Sequence, residues 1–162
     1  MLDQVLFTYR FNLDHINHLV ADLSDDQAVQ QPHGLLNHPR WTIGHLAFGS
    51  NYAAGFLGLE STFAPAWADL FMPGATISSD GSTYPSTTEL LTALKAQHER
   101  VAGAIGRAPQ SLFSQECTDE FLRDHFPTIG NFLGYIMTAH EGDQIGQLAC
   151  WRRAMNLPPA EF

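Results

Sequence analysis

The chain has 162 residues, 44% of them hydrophobic and 15% charged, enough for one domain with a real core and too apolar for a disordered segment. Its net charge is −9 with a single lysine, Lys95, so a phosphate backbone meets mostly repulsion, and no binding of nucleic acid is expected. No run of about 18 apolar residues offers a membrane span. The opening MLDQVLFTYRFNLDH has an early acid, Asp3, and no basic start, so we expect no secretion signal and a cytoplasmic setting.

In chain order, Leu2, Val5, Leu6, Tyr9, Leu13, Ile16 and Val20 recur at helical spacing and predict a first helix over residues 2–23. Ser24 and Gln27 form a capping-box pattern opening a short helix, stopped by Pro32-His33-Gly34. A second helix is expected from near Asn37 to about Leu59, with Pro39 in its first turn. Residues 60–85 read as a long crossover in which AWADLF can form a turn or two, and such segments usually shape a site. Ser86 with Glu89 caps a third helix ending near Gly106. Residues 107–127 are irregular, with a short helix around Cys117 to Arg123. Thr128 then caps a last helix running unbroken to Asn156, before Pro158-Pro159. Strand patterns are short and unsupported. Four long helices with two longer connections predict an all-α protein of residues 1–162, an antiparallel four-helix bundle.

At about 100° per residue, His45 falls mid-stripe on the second helix, among Trp41, Phe48, Tyr52, Phe56 and Leu59. Gly49, one turn on, leaves room beside the imidazole. On the last helix His140 and Gln144 lie one turn apart within the stripe Leu133, Ile136, Met137, Leu148, Trp151 and Met155, and Gln147 borders it. Polar groups on an inward face need partners. One buried histidine is usually a satisfied core residue; two on facing helices, with Gln144, can converge and hold a metal with open positions. His15, His18, His33, His38, His98 and His125 read as loop or solvated-face residues, Cys150 as a buried apolar side chain, and Arg152-Arg153 as a solvated helix end. Glycines 130, 134, 142 and 146 recur along the last helix, 142 and 146 roughly opposite His140. Either a crossover loop lies on that face or a second copy does.

WTIGHLAFG at 41–49 resembles the W-x-x-G-H-L signature of the DinB-like superfamily, and HEGDQIGQLACWRRAMNLP at 140–158 resembles its last-helix H-x-x-x-H-x-G-Q run. The lead-in LSDDQAVQQPHGLLNHP fits too, so the resemblance covers nearly the whole chain. It implies an up-down-down-up bundle, frequent dimerisation and, in many members, a three-histidine nickel or zinc site. Characterised relatives include thiol-dependent S-transferases and a mycothiol-dependent isomerase. By this resemblance His45 and His140 match two ligands, and Gln144 stands where the family has its third histidine. An amide oxygen is a poorer ligand for a borderline metal, so the centre is expected to be weakened, with Asp143, Glu141 or water completing it. Two functions follow: a divalent-metal-dependent enzyme acting on a small molecule, or a metal-free small-molecule-binding or structural dimeric bundle that has lost one ligand.

Overall fold

The computed structural model describes residues 2–35 and 37–160, and among them the only extended pairing is a single bridge between Glu116 and Thr128. Seven α-helices are formed among these residues: α1 (Leu2–Val20), α2 (Pro39–Phe56), α3 (Ala66–Phe71), α4 (Thr87–Ile105), α5 (Glu120–Arg123), α6 (Ile129–Met137) and α7 (Ala139–Ala154). The protein is all-helical. None of its helices is long and apolar enough to cross a membrane.

Helix starts follow local chemistry. Ser86 and Glu89 satisfy each other's backbone N–H at the head of α4, and Thr128 and Asn131 do the same for α6. His38 caps α2, its Nδ1 accepting from the Trp41 N–H, with Pro39 at the first helical position. The Ser24–Gln27 pair is also reciprocal, but it opens one 3₁₀ turn (Gln27–Val29) rather than a longer helix.

α2 lies along α4, α1 along α7, and α6 and α7 both reach α2. Two apolar clusters fill the interior. One gathers Ile16, Ile43, Leu46, Leu90, Leu94 and Leu148; the other gathers Tyr9, Ala53, Val101, Phe132, Leu133 and Met137. Asn51, Gln97 and Arg100 tie the start of the crossover down, with Arg100 donating to the Glu60 carbonyl and Gln97 to the Thr62 hydroxyl.

The last helix departs from its expected form. It breaks at Thr138, whose φ −130° and ψ −75° are not helical. The Thr138 hydroxyl takes the Gly134 carbonyl at 2.6 Å, the acceptor its own N–H would use in a continuous helix, and that N–H turns to Tyr135 instead. Hydroxyl competition of this kind bends helices. The sequence pattern runs straight through because the apolar stripe resumes in register.

Two other readings are corrected. Arg152 is buried, its guanidinium gripping both oxygens of Asp22 and the Leu19 and Pro158 carbonyls, while Arg153 is exposed. Cys150 is exposed and Cys117 is the buried thiol.

Candidate functional site

His45 projects from the middle of α2 and His140 from the first turn of α7, two residues after the break at Thr138. Their Nε2 atoms are 3.0 Å apart. His45 Nδ1 lies 2.7 Å from the Phe71 carbonyl at the end of α3. A carbonyl only accepts, so His45 carries its proton on Nδ1 and accepts at Nε2 from His140. The Trp41 indole lies flat on the His45 ring at 4.7 Å.

Burial pushes the His45 pKa below its ordinary value, against the Phe71 hydrogen bond. His140 is pushed down to about 4, by burial first and by the neighbouring His45 second; Asp143 opposes weakly. Both rings are therefore neutral at pH 7; the His45 Nε2 lone pair accepts the His140 Nε2–H, and His140 keeps its own lone pair on Nδ1.

Gln144 is buried one turn further along α7, and its Oε1 has no hydrogen-bond partner. A buried acceptor left unpaired is costly. Asp143 is exposed, and Gln147 is exposed and accepts from Asn37 at 2.6 Å. Gly49 faces His140 and Ile136 rather than open space. A methyl there would meet them at 3.7 and 3.4 Å, so the gap beside the imidazole is about one methyl wide.

Glu141 points away from the histidine pair, contrary to its reading as a completing ligand. Only 1% exposed, it accepts from Asn12 Nδ2 at 3.0 Å, and one of its oxygens sits 2.8 Å from His98 Nε2. That second contact is close but misaligned as a hydrogen bond. Burial raises the Glu141 pKa, while His98 and Asn12 lower it. His98 is thus a buried residue of α4, stacked on Tyr9 at 3.7 Å, not a solvated one. Tyr9 donates to Ser50 at 3.1 Å. Its phenol pKa is raised well above normal, by burial and then by the Glu141 charge. This second network, drawing on α1, α2, α4 and α7, escaped sequence reasoning. One signal for it was available: Asn12 is spaced from Tyr9 and Ile16 so as to share the inward stripe of α1.

His38, expected in a loop, is fully buried: its Nδ1 caps α2 and its Nε2 lies 3.0 Å from the Ser78 carbonyl. Among the described residues no group of three His, Cys, Asp or Glu side chains forms a metal cluster. The donors at the pair itself are two neutral imidazoles, with the buried, unpaired Gln144 amide one helical turn from His140 on α7.

The DinB superfamily model matches residues 8–148, most of the chain, and the protein belongs to that superfamily. Curated proteins returned no match.

Proposed function

We propose that the chain is one up-down-down-up, antiparallel four-helix bundle whose His45, His140 and Gln144 form a weak divalent-metal site of an enzyme acting on a small molecule. The observation that carries this is the pair of neutral Nε2 atoms 3.0 Å apart. Two nitrogens each about 2.0–2.1 Å from one ion fall about 3 Å apart when cis to each other, so the spacing would fit shared coordination once His140 moves its proton from Nε2 to Nδ1. The unpaired Gln144 Oε1 fits as a third, oxygen donor. Nickel and zinc suit this donor set, held less tightly than by three imidazoles.

A bound ion would supply Lewis acidity, lowering the pKa of a coordinated water or thiol. Thiol-dependent group transfer is the reaction class closest to this chemistry. The chain's own contribution is to hold both imidazoles neutral, to fix the His45 ring between Trp41 and the Phe71 carbonyl, and to keep the pair largely buried. The net charge of −9 and the single lysine favour a small-molecule role over contact with nucleic acid.

A metal-free binding or structural reading is favoured by one observation: among the described residues no third His, Cys, Asp or Glu joins the pair in a metal cluster. Elemental analysis of untagged protein, with calorimetric titration of zinc and nickel, separates the two. We expect binding that a His45→Ala and His140→Ala double substitution abolishes. Indifference of the unsubstituted protein to both metals would overturn the metal reading.

A further inference from the structure

Trp41, Gly44 and His45 together form a receptor for the end of α3. The Trp41 indole N–H donates to the Leu70 carbonyl at 3.0 Å, and the His45 Nδ1–H donates to the Phe71 carbonyl at 2.7 Å. These are carbonyls of a final helical turn, which have no N–H donor within the helix. Between the two contacts, Gly44 leaves the space that the Phe71 ring occupies; a Cβ there would overlap three of its carbons. The ring has no retreat. It is 0% exposed, with Trp67 and Tyr84 packed beside it.

We infer that Gly44 and Phe71 are positioning residues of the histidine site: docking of α3 against α2 locks His45 as the Nδ1–H tautomer and aims its Nε2 lone pair at His140. The lock uses a side-chain slot and a backbone carbonyl, so the crossover is a structural part of the site. A carbonyl on the far nitrogen of a ligating histidine fixes ring orientation and strengthens the ligand. The significance for metal binding rests on the function proposed above; the tautomer lock does not.

Imidazole ¹⁵N spectroscopy on chelator-treated protein reads the tautomer directly. We expect the His45 proton on Nδ1 in the unsubstituted protein. In Gly44→Ala, with Phe71 displaced, we expect a mixture of tautomers and nickel binding weaker by about 10–100-fold. The double variant Gly44→Ala, Phe71→Leu, which trims the ring to admit the methyl, should recover much of both. A His45 proton on Nε2 in the unsubstituted protein overturns the inference, and that spectrum decides even if Gly44→Ala does not fold. So does a Gly44→Ala protein that keeps both the lock and its nickel affinity. A locked His45 in a protein that binds no nickel would uphold the inference while overturning the metal reading.

Discussion

At the residue scale, neutral His140 carries a pH signature. Its folded pKa of about 4 lies below the unfolded value of about 6.5, so the unfolded chain takes up the proton first as pH falls. The stability that depends on this ring is complete above about pH 6.5 and is lost as pH drops toward 4. Urea midpoints of chelator-treated protein should fall over that window and fall less steeply in His140→Gln. Glu141 has the opposite sign. Its raised folded pKa means stability is lost as pH rises through that value, with His98 and Asn12 limiting the loss. Glu141→Gln keeps an acceptor for Asn12 without the charge, and its melting temperature relative to the parent should climb with pH above the usual glutamate range. A flat difference would show that His98 already compensates the carboxylate in full. At position 144, a third imidazole should tighten zinc binding by about tenfold or more, about 1.4 kcal/mol, in Gln144→His. Equal calorimetric titrations of the two proteins would leave Gln144 outside the site.

At the element scale, the glycines of α6 and α7 separate into two kinds. Gly130 lies under the Phe113 backbone, where a Cβ would crowd the carbonyl oxygen, so that glycine admits the segment preceding α5. Gly134, Gly142 and Gly146 would meet nothing within 4 Å. Gly130→Ala should cost about 1–3 kcal/mol through overpacking. Gly134→Ala, in open space on a helix, should instead gain about 0.5–1 kcal/mol. Chemical denaturation of the two variants checks the contrast. The break at Thr138 belongs to this scale too: it depends on one hydroxyl–carbonyl contact that helical periodicity does not register, and it sets the direction from which His140 approaches α2.

At the scale of the whole molecule, the open glycines bear on assembly. A loop covers Gly130 alone, so the loop-packing explanation does not extend to Gly142 or Gly146, both of which are exposed. We propose a homodimer through this face, small residues allowing close backbone approach by a second copy. Sedimentation should then show dimers that Gly146→Leu weakens while the His45 and His140 environment is unchanged. Monomers in the parent protein would remove the assembly role and leave these glycines unexplained.

Periodicity, caps and breakers were enough for the all-helical class, for most helix starts, and for placing His45, His140 and Gln144 on inward faces, because each depends on residues within a turn or two of one another. The W-x-x-G-H and H-E-G-D-Q runs were enough for the family. What only the tertiary structure decided depends on contacts between distant segments. Phe71 meets Gly44 and His45 across 26 or more residues, His98 and Glu141 meet from α4 and α7, and Arg152 reaches Asp22 from the far end of the chain. A helical pattern reports which way a side chain points. It does not report what another element brings to that point, and so the same reading that found the histidine pair was silent on the slot at Gly44 and sent His98 to solvent.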